Sequence, residues 1–174
     1  MNLLKDHPAS DEFALHIGKL IQNFGVVEMS TYRWIAQLSG SKIAVEISME
    51  LPLAKRIEVI LNLLEKGHSS FDAAQRERAT NLWGQLRDKG CELRNAVAHG
   101  ATILAFSGAE TSGNPVTSGV MKVRKKSSTD QMLGIDEIKA AVNTTAQIAM
   151  ELSKIIQAAQ QVGTDNDRAA PDRV

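Results

Sequence analysis

The chain has 174 residues, with 20 Lys and Arg against 20 Asp and Glu, so its formal net charge is zero. This length suits one domain of roughly 100–200 residues. The contents of 43% hydrophobic and 23% charged residues exclude a wholly disordered, collagen-like or coiled-coil chain. Because aromatic residues make up only 4%, the composition favours a mostly helical fold over an all-β sandwich. Zero charge provides no global field for nucleic acid, so RNA binding would need a local basic patch.

The sequence also predicts a compartment. The single cysteine, Cys91, cannot form a disulfide within the chain. No basic segment followed by an apolar stretch opens the sequence. Glu28, Glu46 and Glu58 interrupt the apolar segments before they reach the roughly 18–20 residues that span a bilayer. We therefore expect a cytoplasmic protein without membrane contact.

Three helices are predicted in the first part of the chain. Apolar residues at spacings of three and four predict a helix over residues 11–38, and Gly40 supplies its stop. A second periodic segment begins at Ile43 and must end or bend at Pro52, because proline lacks the amide donor and clashes with the preceding turn. A third helix is predicted from Leu53 to Glu65. Its expected apolar face comprises Ala54, Ile57, Ile60, Leu61 and Leu64.

A fourth helix is predicted from Phe71 through Ala98, with Ser69 or Ser70 as its N-cap. Its expected buried stripe comprises Leu82, Leu86, Leu93 and Val97. The helical period is lost over residues 101–134, where Thr102–Ser107 and Val120–Arg124 are candidate strands. It returns over residues 135–160, which predict the last helix.

These elements together predict an all-α fold. We expect an up-and-down helical bundle of four to five helices, with a small β-hairpin-like insertion before the last helix. A single domain should cover residues 1–162. The polar residues 163–174 lack a periodic face and should form a disordered tail.

The polar residues near the end of the fourth helix are the candidate site. On an α-helix Asn95 and His99 are four residues apart and share a face, while Arg94 lies about 100° to one side of Asn95. Leu93 and Val97 lie on the other side by the same arithmetic. The three polar side chains should therefore face solvent, a ligand or another subunit.

These residue types suffice for metal-free RNA cleavage. In that reaction the ribose 2′-oxygen attacks the adjacent phosphate and the 5′-oxygen leaves, so no protein nucleophile is needed. A histidine can move protons to and from the ribose oxygens. An arginine can stabilise the charged transition state with paired donors. Asn95, one turn before His99, is positioned to fix the imidazole tautomer.

The segment Arg94-Asn95-Ala96-Val97-Ala98-His99-Gly100, at the end of a long helix in a helical chain, resembles the Arg-x(4–6)-His signature of the HEPN superfamily. The helical pattern of residues 11–160 is similar as well. This resemblance implies an up-and-down helical bundle and a homodimer in which the motifs of two protomers form a metal-independent RNA-cleaving cleft. It further implies that Arg94 clamps the phosphate, that His99 is the acid/base and that Asn95 is an orienting residue.

The resemblance also implies a biological context, namely a toxin or defence effector with an antitoxin or regulatory protein as a further partner. The same polar face fits an alternative from another class. In that alternative the chain is a non-catalytic helical module that binds a nucleotide or a protein, and Arg94, Asn95 and His99 form a helix end or a dimer contact.

Two further groups are weaker candidates. Glu28 interrupts an apolar run at helical spacing with Ile21 and Ile35, so we expect it to be half-buried and to need a donor. If Arg94 is this donor, Glu28 is part of the candidate site. If Arg33 is the donor, Glu28 belongs to a local ion pair. A basic run is the candidate for contacts with the RNA backbone, and a solvated loop is the commoner explanation of such a run. It consists of Lys122, Arg124, Lys125 and Lys126.

The sequence gives no reason to expect a metal or a cofactor. His7, His16 and His68 lack neighbours at metal-ligand spacing, and Cys91 stands alone. No Gly-rich phosphate loop, nucleophile elbow or dinucleotide fingerprint occurs.

Overall fold

The structure is a computed structural model that describes residues 8–67, 71–99, 102–106, 119–124 and 132–169, with side chains described for 11–67, 71–99 and 133–161. Its helices are α1 (Pro8–Ser39), α2 (Lys42–Met49), α3 (Leu53–Glu65), α4 (Ala73–Gln85), α5 (Cys91–His99) and α6 (Ile135–Ala169). A single π-helical turn, Leu86–Gly90, joins α4 to α5 without a break. The described part of the chain is therefore almost entirely helical, which confirms the predicted all-α class.

Short polar signals set the helix boundaries. Gly40 ends α1 with a φ of 61°, a left-handed conformation that glycine adopts without steric cost. Ser41 then caps α2 by accepting a hydrogen bond from the amide of Ala44 at 3.3 Å. Asp72 caps α4 in a reciprocal capping box with Gln75. The cap predicted at Ser69 or Ser70 is therefore wrong, because the carboxylate nearer the helix binds the free amide of Gln75.

Contacts divide the chain into two units, of which the second comprises Gly25–Cys91 and Ala146–Val174. This unit is a helical bundle, and its core is built around a fully buried indole. The ring of Trp34 stacks on Phe71 with centroids 5.3 Å apart, and Trp83 meets it edge-on at 6.0 Å. Other buried apolar residues here are Val27, Ile35, Leu38, Leu53, Ile57, Ile60, Leu64, Ala79, Leu86, Ile148, Leu152 and Ile156.

The first unit comprises Met1–Phe24 and Glu92–Thr145. Here the start of α1 is held to the start of α6 by a hydrogen bond from Asn23 Nδ2 to the carbonyl of Val142 at 2.9 Å. An ion pair of 2.5 Å joins Glu12 to Lys139. The buried residues of this unit are Phe13, Leu20, Phe24, Ala96, Ile138, Val142 and Thr145.

Three short strands also belong to the first unit. Strands β1 (Thr102–Phe106), β2 (Gly119–Arg124) and β3 (Met132–Leu133) form an antiparallel sheet in the order β1-β2-β3. Thr102 pairs with Val123 in the register between β1 and β2. The segments 107–118 and 125–131 that connect the strands lie outside the described residues, so the β-hairpin-like insertion stays a prediction.

The end of the last helix and the apolar stripe of the fourth differ from the prediction. Helix α6 continues beyond Gly163 to Ala169, and residues 170–174 lie outside the described part. In α5 the most buried residue is Ala96, at 3% exposure, whereas Leu93 and Val97 of the predicted stripe are only half-buried. The turn before α5 contains an extra residue per turn and changes the phase of the apolar stripe.

Within the described part of the chain, none of the helices is both long and apolar enough to cross a membrane.

Candidate functional site

The site predicted from the sequence lies on α5, and its polar face is outward. Asn95 and His99 are exposed, and Arg94 is half-buried between them and the buried side of the helix. Ala96, at 3% exposure, anchors α5 in the first unit. The prediction that Asn95 and His99 face away from the protein interior is confirmed, whereas Arg94 lies closer to the interior than predicted.

Arg94 and Asn95 interact directly. Arg94 Nη1 donates a hydrogen bond to Asn95 Oδ1 at 3.4 Å. Among the described residues, no hydrogen bond joins Asn95 to His99. The geometry therefore lets Asn95 orient the guanidinium, because its amide oxygen accepts from Arg94. That Asn95 fixes the tautomer of His99 stays a prediction. His99, in the last turn of the helix, presents its imidazole to solvent one turn beyond Asn95.

Glu28 is half-buried, as predicted, and belongs to a cluster in the second unit. Its carboxylate lies 3.6 Å from Arg56 Nη2, and the Arg56 side chain is only 6% exposed. The guanidinium carbon lies 4.7 Å from the centroid of the Tyr32 ring, and Arg56 Nη1 also donates to the Tyr32 hydroxyl. Glu28 therefore neutralises a buried cation, which is a structural task. A catalytic role for Glu28 stays a prediction.

Arg56 is the residue that sequence reasoning missed. It lies on the buried face of α3 together with Leu53, Ile57 and Ile60. The spacing from Leu53 to Arg56 and from Arg56 to Ile60 is three and four residues, which puts Arg56 inside the apolar stripe. A buried cation in such a stripe needs a nearby carboxylate. The position of Arg56 within the apolar stripe was therefore the sequence signal for its pairing with Glu28.

The basic run is only partly described. Lys122 and Arg124 lie in β2, where the backbone is described and the side chains are not. Lys125 and Lys126 lie outside the described residues. Their role in RNA binding stays a prediction.

Within the described residues, no group of three or more His, Cys, Asp or Glu side chains is arranged to hold a metal ion. His7 and His68 fall outside this part of the chain.

Comparisons of the chain with protein-family models, with curated proteins and with solved structures found no match. The resemblance to the HEPN superfamily thus depends on the motif from Arg94 to His99 and on the helical pattern around it.

Proposed function

We propose that the protein is a metal-independent endoribonuclease of HEPN type. The observation that carries this proposal is the outward polar face of α5, on which His99 and Asn95 are exposed and Asn95 orients Arg94. The buried side of the same helix fixes this face through Ala96. A rigid helix that presents an imidazole and a guanidinium to solvent supplies both groups that RNA transesterification needs.

The proposed reaction has one chemical step in which the 2′-oxygen loses its proton and attacks the phosphorus. The bond from phosphorus to the 5′-oxygen breaks, and the 5′-oxygen takes up a proton. The products are a 2′,3′-cyclic phosphate and a 5′-hydroxyl. Arg94 stabilises the extra negative charge on the phosphoryl oxygens, and Asn95 holds the guanidinium in place.

One imidazole cannot be base and acid in the same instant, which explains the value of a homodimer. In the proposal, His99 of one protomer accepts the proton of the 2′-hydroxyl while His99 of the other donates to the 5′-oxygen. The RNA strand would further contact the predicted insertion through Lys122, Arg124, Lys125 and Lys126. The toxin or defence role and an antitoxin partner belong to this proposal as its biological context.

The test is cleavage of an end-labelled RNA pool by the purified protein in excess EDTA. We expect the parent to cut, and His99→Ala and Arg94→Ala to lose activity by about 100-fold or more. Acid–base groups contribute about 10²–10⁴-fold, and a donor that stabilises transition-state charge contributes about 10²–10³-fold. Ala98→Ser is the matched control, because Ala98 is exposed on α5 and occupies one of the unspecified positions between Arg94 and His99. This variant should cut like the parent.

Unchanged cutting by His99→Ala would refute the assignment of the motif. If the folded parent binds RNA or a nucleotide but neither the parent nor any variant cuts RNA, the protein is better described as a non-catalytic binding module.

A further inference from the structure

A polar groove runs along the second unit, and its lining residues end at Lys89, before the α5 motif begins. It has a volume of about 810 Å³, which is within the range of about 300–1,000 Å³ typical of ligand sites. One wall is α3, and the other is formed by α4 and the π-helical turn that packs beside α3. The lining residues are Leu61, Asn62, Glu65, Thr80, Asn81, Gly84, Gln85, Arg87, Asp88 and Lys89.

Gly84 keeps this groove open. It lies inside α4, where glycine is unfavourable because it loses more backbone freedom than other residues. No heavy atom lies within 4 Å of the position that a Cβ would take, so packing does not require a glycine here. The π-helical turn follows immediately, and such turns are frequent at functional sites. The missing side chain thus leaves room for a ligand.

The groove has opposite charges at its two ends. Helices α3 and α4 run antiparallel, because they are consecutive, pack together and are joined by residues 66–72 only. The groove is lined on α3 by Leu61, Asn62 and Glu65, and on α4 by residues that begin at Thr80. In an antiparallel pair the last of these α3 residues, Glu65, lies at the level of the first α4 residue, Thr80.

Lys89 lies at the other end of the groove, beyond Arg87. The guanidinium of Arg87 is already paired with Asp88 at 2.7 Å. Within the described residues, neither Glu65 nor Lys89 forms a salt bridge. Lys89 is nine residues after Thr80, so at about 1.5 Å per residue the levels of Glu65 and Lys89 are about 13–14 Å apart. The groove thus presents one unpaired carboxylate and one unpaired ammonium group at levels about 13–14 Å apart.

Three carboxamides lie between these charges, namely those of Asn62, Asn81 and Gln85. Each has donors and an acceptor, so each complements a peptide unit, which also has one donor and one acceptor. A nucleic-acid strand fits poorly, because its phosphates would meet the carboxylates of Glu65 and Asp88. A ligand with a cation at one end, an anion at the other and amides between them fits well.

We propose that this groove binds a short peptide with free termini, three to four residues long. Its ammonium group pairs with Glu65, its carboxylate pairs with Lys89, and its peptide units bond to the carboxamides. An extended peptide spans at most about 3.3–3.6 Å per residue, so three residues cover about 10–11 Å and four cover about 13–14 Å. An ion-pair contact of about 3 Å at each end lets the shorter peptide reach both charges as well. This site is independent of the proposed RNA cleavage.

The test is a titration of the full chain, labelled with ¹⁵N, with trialanine as the probe. We expect saturable amide shifts in α3, α4 and the π-helical turn, with a dissociation constant on the order of 1 mM. Gly84→Leu should abolish them by filling the groove, because its Cβ meets no neighbour. Gly84→Ala is the matched control and should bind, since a methyl group leaves most of the groove open.

A second experiment tests the orientation of the bound peptide by removing one charge at a time from the peptide and from the protein. It does not depend on substitutions at Gly84. In the parent, N-acetyl-trialanine and trialanine amide should each bind about tenfold more weakly than trialanine. The Glu65→Gln variant should bind N-acetyl-trialanine about as weakly as it binds trialanine. The Lys89→Gln variant should likewise bind trialanine amide about as weakly as it binds trialanine. Absence of saturable shifts would overturn the proposal, as would equal binding of the capped peptides. Preference for 5′-AMP over trialanine would also overturn it.

Discussion

The guanidinium of Arg56 shows how one charged side chain is accommodated among apolar residues. Removing a cation from water is unfavourable by several kcal/mol unless a counter-charge and hydrogen bonds compensate. Glu28 provides the counter-charge at 3.6 Å, and Tyr32 provides both a hydroxyl acceptor and a ring face. The three side chains connect α1 to α3 within the second unit. Losing one member should therefore cost more than losing an exposed ion pair.

We predict that Glu28→Ala lowers the free energy of unfolding by on the order of 2 kcal/mol, because Arg56 would lose its counter-charge. Glu46→Ala, at an exposed position of α2, is the control and should change it by less than about 0.5 kcal/mol. Urea denaturation measures both. The double variant Glu28→Ala/Arg56→Met should regain part of the loss, since no buried charge remains. If Glu28→Ala and Glu46→Ala lower the free energy of unfolding equally, the cluster is not stabilising.

At the scale of the element, α5 derives its orientation from its buried side. Ala96 is 3% exposed, whereas Ala98, two residues later, is exposed. Since consecutive residues differ by about 100° around a helix, these two alanines lie about 200° apart, on opposite sides of α5. One side is buried and the other is exposed to solvent. The motif face depends on this orientation.

We predict that Ala96→Gln destabilises the protein by at least about 2 kcal/mol, through overpacking and burial of an amide. The same change at Ala98 should stay within about 0.5 kcal/mol, because that side chain remains in water. Thermal or urea unfolding of the two variants checks this. If both substitutions are tolerated, α5 is not oriented as described, and the outward position of Asn95 and His99 loses its support.

A second prediction for elements concerns the ion pair between α1 and α6. The hydrogen bond from Lys139 and then its charge lower the pKa of Glu12 below its ordinary value of 4.5. Because the folded-state pKa is the lower one, this pair stabilises the protein above the unfolded-state pKa and ceases to do so as the pH falls through the folded-state value. The Glu12→Gln variant should therefore lose less stability on acidification below about pH 4.5 than the parent.

The measurement is the midpoint of urea unfolding at several pH values, and the side chains of Glu12 and Lys139 are exposed enough that the effect should be small. Glu77→Gln is the control, because Glu77 is exposed and forms no salt bridge among the described residues. If Glu12→Gln and the parent lose the same stability as the pH is lowered, the ion pair between Glu12 and Lys139 does not stabilise the protein as described.

Much of the helical architecture could be predicted from the sequence, because apolar spacing alone indicates helices. The same spacing placed Asn95 and His99 on an exposed face. Sequence reasoning did not find the π-helical turn, since a hydrogen bond from the amide of Cys91 to the carbonyl of Leu86 leaves no mark in residue types. It also overlooked Arg56, because a cation within an apolar stripe becomes meaningful only when the carboxylate on another helix is known.

At the scale of the whole molecule, the zero net charge means that any attraction of RNA has to be local. The proposed mechanism also needs two copies of His99, so it makes a prediction about assembly. We expect a homodimer, twice the chain mass of 18.9 kDa, in size-exclusion chromatography with light scattering at micromolar concentration. A monomer with full cleavage activity would contradict the arrangement in which two protomers share one cleft.

The most direct test of the central claim is the chemistry of the cut ends in excess EDTA. We would incubate the protein with a defined RNA that it cleaves, and with the same strand carrying a 2′-deoxyribose at the cleaved position, and analyse the products by mass spectrometry. The account predicts a 2′,3′-cyclic phosphate and a 5′-hydroxyl from the RNA, no cut in the deoxy-substituted strand, and loss of the products in His99→Ala. Cutting of the deoxy-substituted strand, or 5′-phosphate ends, would contradict it.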